Sequence, residues 1–154
     1  MPVQRWMIIT KTCILHLERK TIFFLKKEVY KMNTKTINIQ VLALLGDAVL
    51  SLYIREKLLK QGINNANKLN ASAVPYVSAK GQVRILDKLT KDNFLTEEEL
   101  DIVKRGRNNK KENHPKNTDI ITYKLSTGFE ALLGDLYLNN KDRLKEILEQ
   151  IEVK

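Results

Sequence analysis

The chain has little of what most metal cages and covalent active sites are made from. A single cysteine, Cys13, among 154 residues excludes an intramolecular disulfide and any thiolate zinc cluster, and it fits a reducing compartment. Two histidines, His16 and His114, lie far apart, and neither an H-E-x-x-H helix nor a Ser/His/Asp set can be assembled around them. Only three prolines and six glycines accompany 43% hydrophobic residues, which excludes fibrous and disordered chains. No charge-free apolar run reaches the length of a membrane-spanning helix. Alternating apolar and polar runs of the kind a half-buried strand requires are almost missing. Chemistry in such a chain has to run mainly on carboxylates.

What is present is a length suited to one packed core and an excess of positive charge: 27 Lys and Arg against 18 Asp and Glu, a net +9. Such a balance points to a polyanionic partner, nucleic acid or an anionic membrane. The charge is uneven. Residues 1–31 hold seven Lys and Arg against two acids, a net +5, so residues 32–154 carry +4. This leader also holds the only Trp, the only Cys and two of four Phe. It fails as a signal peptide, having no long apolar run and no small-residue cleavage site. An amphipathic membrane-surface helix is a weaker reading of its irregular pattern. Lys27-Glu28-Val29-Tyr30-Lys31-Met32 back-translates to a purine-rich AGGAGG a few nucleotides before an ATG, which resembles a bacterial ribosome-binding site. Residues 1–31 are therefore expected to be a non-native upstream translation or disordered, and residues 32–154 to form the domain.

The rest is helical in period. Ile39 to Leu59 is a long apolar segment stopped by Gln61-Gly62, where glycine suits a helix C-terminus. The polar stretch INNANKLN reads as a connection, followed by a helix over about Tyr76–Leu89 with Pro75 near its start. Thr96-Glu97-Glu98-Glu99 has the form of a capping box and opens a helix to about Lys104. Residues 106–118, GRNNKKENHPKNT, read as a loop. Helices over about Asp119–Leu138 and 141–152 complete an all-α chain.

Two acids stand out. Asp47 is the sole charged residue from Val41 to Ile54, in a stretch expected to be largely buried, and Glu130 is embedded in the apolar LSTGFEALLGDLYL. A buried carboxylate costs several kcal/mol unless it is paired, hydrogen-bonded or bound to a metal. Helix capping for Asp47 and an ion pair for Glu130 are the structural alternatives. ALLGDAVL at 43–50 and ALLGDLYL at 131–138 agree in six of eight positions, so two glycine-notched helices are expected to pack closely and bring acids together. Asp135 lies about 140° further round its helix than Glu130, and spacing alone does not say which of them faces Asp47. Two carboxylates converging from different helices suit Mg²⁺, which keeps several waters and meets substrate phosphate.

The basic residues cluster. Lys104, Arg105, Arg107, Lys110, Lys111 and Lys116 face one acid, Glu112, with Asn108, Asn109, Asn113 and Asn117 among them. A solvated loop explains such a cluster; so does backbone-phosphate recognition, which is how double-stranded RNA is mainly read. Aromatic residues for stacking single strands are few there. Ser78, Lys80 and Gln82 in VSAKGQ offer further contacts, or merely an exposed helix face.

These segments carry a resemblance. LALLGDAVLSLYIREKLL resembles the ribonuclease III signature helix, and VSAKGQ, KRGRN, PKNTD and YKLSTGFEALLGDLYL, in that order, are similar to Mini-ribonuclease III, the bacterial form without a double-stranded-RNA-binding domain. The resemblance spans about Ile39 to Leu138 and leaves out residues 1–31. It implies a ribonuclease III-like endonuclease domain, a helical bundle forming a homodimer. It also implies Mg²⁺-dependent cleavage of double-stranded RNA, with Mn²⁺ as a substitute, giving 5′-phosphate and 3′-hydroxyl ends. The implied role is maturing the ends of the 23S (large-subunit) ribosomal RNA precursor in the bacterial cytoplasm. A ribosomal protein on the precursor RNA is a further expected partner, and a membrane is not. The signature acids fall on Asp47 and Glu130, expected to be both catalytic and metal-binding. The expected RNA-binding residues are Lys80, Lys104, Arg105, Arg107, Asn108, Lys116 and Asn117. Full-length ribonuclease III carries two further acids where this chain has Ala43 and Thr127. No second domain is expected after Lys154, so the catalytic domain has to grip RNA itself. The competing class is a non-catalytic double-stranded-RNA-binding or ribosome-associated protein on the same fold.

Overall fold

The computed structural model describes residues 32–109 and 119–153, and all regular structure in them is helical. Six helices follow one another: α1 (Ile39–Lys60), α2 (Ala66–Val77), α3 (Ala79–Lys91), α4 (Glu97–Arg107), α5 (Ile120–Asn139) and α6 (Lys141–Glu149). Each starts on a short polar side chain. Asn38, Asn65, Ser78, Thr96, Asp119 and Asn140 accept hydrogen bonds from first-turn amides, satisfying donors that helix geometry leaves without partners. The capping box at Thr96 and Glu99 is fully formed, and Gly62 follows α1 with φ +92°, a left-handed conformation natural to glycine.

Three boundaries differ from expectation. INNANKLN is not a plain connection: Asn65 caps α2, whose polarity reflects a surface position with Ala73 as its buried residue. The pattern expected over Tyr76–Leu89 spans two helices, broken at Ser78, where extended backbone lets the hydroxyl accept from the Gly81 amide at 3.3 Å. Pro75 therefore sits near the end of α2 and not at the start of a helix. Finally, α4 continues through Gly106 to Arg107, because that glycine is a packing contact.

The central element is α5, against which α1, α3, α4 and α6 all pack. Phe129, Leu132 and Leu133 of α5 are fully buried with Leu50, Ile54 and Leu58 of α1. Each such side chain contributes roughly 1.5–3 kcal/mol relative to exposure. A buried ion pair fastens α6 to the start of α4: the Arg143 guanidinium donates to both Glu99 carboxylate oxygens, at 2.8 and 3.1 Å, and to the Phe94 carbonyl. Burial alone raises the Glu99 carboxyl, but hydrogen bonds from Arg143 and the Thr96 amide outweigh it, and the group ends below its ordinary range. One side of α1 is left uncovered, since Val41, Leu44, Ala48, Leu52 and Leu59 share a stripe at helical spacing and are exposed.

Candidate active site

The site begins with a helix crossing that only glycine permits. Gly46 of α1 lies directly on the Glu130 carbonyl and the Gly134 amide of α5, and Gly134 lies on the Leu42 carbonyl. Each glycine meets the carbonyl four residues before the other glycine, so the repeated ALLGD is a reciprocal packing device. Asp47 follows Gly46, which sets the turn carrying Asp47 on the turn that opens at Glu130. Both acids are half-buried, so Asp47 is more accessible than its apolar surroundings suggested. That difference follows from α1 being covered on one side only: the long apolar run serves a core face and an exposed face at once. Among the described residues, no ion pair engages Asp47. Asp135 is seven residues beyond Gly128, on nearly the same side of α5, and Gly128 packs against Val103 of α4. The crossing with α1 therefore belongs to Glu130.

A second glycine contact sets the basic residues. Gly106 of α4 lies on the Gly128 Cα, and Gly128 on the Val103 carbonyl. This holds Lys104 and Arg107 on the α3 side, where with Lys80 they line one cavity between α3, α4 and α5. Arg105 points elsewhere and donates to the Thr34 carbonyl at 3.4 Å. Asn108 caps α4, and its side-chain oxygen accepts from Arg107 Nε at 3.3 Å. Lys116 and Asn117 lie outside the described residues. Of VSAKGQ, Ser78 is spent on the α3 cap and Gln82 is buried, donating to the Val77 carbonyl, so Lys80 alone is offered to solvent. Arg84, which the sequence reading passed over, lines the same cavity. Its signal was the i, i+4 spacing from Lys80 on α3.

Residues 40–141 match the ribonuclease III domain. Mini-ribonuclease 3 of Streptococcus pneumoniae is 43% identical over 118 residues, covering 76% of this chain and 92% of that protein. Mini-ribonuclease 3 of Brevibacillus brevis is 46% identical over 127 residues, covering 82% and 93%. The chain belongs to the Mini-ribonuclease III family. A crystal structure of a Fusobacterium nucleatum protein, 34% identical, superposes with a TM-score of 0.66 over 77% of this chain and 93% of that one.

Membership puts weight on the two positions where this Mini-ribonuclease III chain lacks an acid. Ala43 is 5% exposed and packs with Leu42 and Ala131, so that position has become core. The Thr127 hydroxyl donates to the Tyr123 carbonyl at 3.0 Å, back along its own helix. Among the described residues no three His, Cys, Asp or Glu gather as a ready cage. The two carboxylates that remain, half-buried hard oxygen donors, fit a cation that keeps most of its waters, as Mg²⁺ does. They do not fit an ion that demands a full set of protein ligands.

Proposed function

We propose that the chain is a Mg²⁺-dependent endoribonuclease that cleaves double-stranded RNA as a homodimer, with Mn²⁺ as a substitute, and matures the ends of the 23S ribosomal RNA precursor. The observation that carries this reading is the glycine-notched crossing, which sets Asp47 and Glu130 on apposed, solvent-reachable turns in a chain of this family. Asp47 and Glu130 hold the cation, which when bound supplies Lewis-acid stabilisation of an in-line displacement at phosphorus. Lys80, Lys104 and Arg107 engage backbone phosphates without reading bases, which suits a duplex recognised through its phosphates and 2′-hydroxyls. Asn108, Lys116 and Asn117 belong to the same basic segment and extend that contact, whereas Arg105, expected from the sequence to share it, turns to the Thr34 carbonyl. Water is the nucleophile: its oxygen bonds to phosphorus as the P–O3′ bond breaks and O3′ takes a proton, leaving a 5′-phosphate and a 3′-hydroxyl.

The exposed stripe on α1 supports the dimer. Leu44 is 74% and Leu52 71% exposed, and an apolar patch repeated on two copies makes a self-complementary two-fold interface. Two-fold symmetry then places one acid pair on each strand of a duplex. No described helix is long and apolar enough to cross a membrane, and the reading places the enzyme in the bacterial cytoplasm, acting on precursor RNA with a ribosomal protein bound.

The test is incubation of the full chain with a long RNA duplex in Mg²⁺ or EDTA. Metal-dependent fragments with 5′-phosphate ends are expected from the wild type. Asp47→Asn should fold and bind RNA but leave the duplex intact, and full cleavage by that variant refutes the assignment.

A further inference from the structure

The cavity between α3, α4 and α5 has a volume of about 540 Å³, within the range of small-molecule sites, roughly 300–1,000 Å³. Its rim carries four cations, Lys80, Arg84, Lys104 and Arg107, against one carboxylate, Asp87. Its floor is aliphatic, made by Val83, Leu86, Leu100, Val103 and Leu125. Asp87 is paired with Lys91 at 2.6 Å and Lys104 with Asp101 at 2.9 Å. Lys80, Arg84 and Arg107 form no ion pair among the described residues, and Arg84 spends one donor on the Pro75 carbonyl at 2.7 Å. Thr90 donates its hydroxyl to the Leu86 carbonyl at 2.8 Å and keeps lone pairs that can accept.

An inorganic anion uses the cations and wastes the floor. An acyl anion uses the floor and the cations but brings no donor for the Asp87 carboxylate or the Thr90 hydroxyl, both exposed at the rim. A nucleoside phosphate uses all three: phosphate on the cations, base on the floor, and ribose hydroxyl or base amine donating to Asp87 and Thr90. We propose that this cavity binds a single nucleoside phosphate, held apart from the catalytic acids. Neither Asp47 nor Glu130 lines the cavity, and Leu125, its one residue on α5, precedes Glu130 by five residues, about 140° around the helix. Two sources share this chemistry. An unpaired nucleotide of the RNA makes the cavity a substrate-selection site and rests on the nuclease reading; a free nucleotide makes it a regulatory site and does not.

Adenosine 5′-monophosphate, adenosine and inorganic phosphate, titrated calorimetrically against the full chain, separate the alternatives. The monophosphate is expected to bind at least about tenfold more tightly than either part alone. Val83→Trp, which fills the half-buried floor, and Arg84→Ala, which removes a rim cation on an exposed position, should each weaken it by about tenfold. The source is read from cleavage: competition confined to a duplex with one bulged nucleotide assigns it to RNA, and equal inhibition of bulged and fully paired duplexes assigns it to the free nucleotide. The proposal is overturned if the monophosphate binds no better than phosphate, or if neither substitution weakens it. A wild-type chain that cleaves no duplex defeats the nuclease reading, while monophosphate binding still reports on the cavity.

Discussion

Replacing Gly46 by Ala tests whether the helix crossing sets the catalytic geometry. In an exposed helix this change stabilises by about 1 kcal/mol through propensity alone. Here the new carbon would sit 2.8 Å from the Gly134 amide nitrogen and nearer still to the Glu130 carbonyl, against an ordinary separation of roughly 3.5–4.0 Å. Both obstacles are backbone, so no side-chain rotation relieves them, and α1 and α5 have to part by more than about 1 Å to bring the closer approach, to the Glu130 carbonyl, up to ordinary contact. Overpacking of this kind costs roughly 1–3 kcal/mol, and the upper end applies; after the propensity gain the net loss is about 2 kcal/mol. The effect on chemistry is larger, because a 1 Å misplacement of reacting groups costs about 10²-fold in rate. Thermal unfolding by circular dichroism and single-turnover cleavage of an RNA duplex in Mg²⁺ measure the two. Gly62→Ala is the control: its new carbon meets nothing within 4 Å but sits at φ +92°, a strain of about 1–2 kcal/mol that leaves cleavage untouched. A Gly46→Ala protein that melts no lower than wild type and cleaves at the wild-type rate refutes the reasoning.

Glu99→Gln should cost about 1–3 kcal/mol at pH 7, because the Arg143 guanidinium loses its buried carboxylate but keeps Glu146 and the Phe94 carbonyl, measured by urea unfolding. The Glu99 carboxyl is held low in the folded chain, so its stabilisation is present above the ordinary carboxylate range and is lost as pH falls below about 4 to 5. The wild type should therefore lose stability on acidification more steeply than the variant, and parallel acid limbs would count against the pair. Leu44→Glu places a charge in the middle of the exposed α1 stripe and should shift sedimentation from dimer to monomer with the helical spectrum unchanged; an unaltered dimer removes that face as the interface. Arg107→Ala should lower the salt dependence of duplex binding by about one ion across unrelated sequences. Arg105→Ala, whose guanidinium reaches Thr34, should instead lower the melting temperature more than the salt slope, and the reverse order would show that Arg105 carries the RNA contact.

Local rules made much of this protein readable from residues alone. The 3.6-residue period, the Thr96 capping box, the Gly62 terminus and the scarcity of alternating runs determined an all-α chain, because caps and periodicity are properties of short stretches of backbone. Asp47 and Glu130 were conspicuous as isolated charges in apolar sequence, and the ALLGD echo announced that two helices would meet. Tertiary structure decided what those signals could not. Asp135 and Glu130 were equivalent in spacing; packing set the Glu130 carbonyl and the Gly134 amide against Gly46 and Gly128 against Val103, which puts the Asp135 side of α5 toward α4. The apolar run of α1 suggested a buried acid; only packing revealed that half of the run faces outward and leaves Asp47 within reach of water. Gly106 read as the start of a loop and is a helix contact that sends Arg107 and Arg105 to different surfaces. Arg84 joined the basic rim only when three helices closed around one cavity. In each case the deciding quantity was a distance between residues remote in sequence, which packing determines and no local spacing encodes.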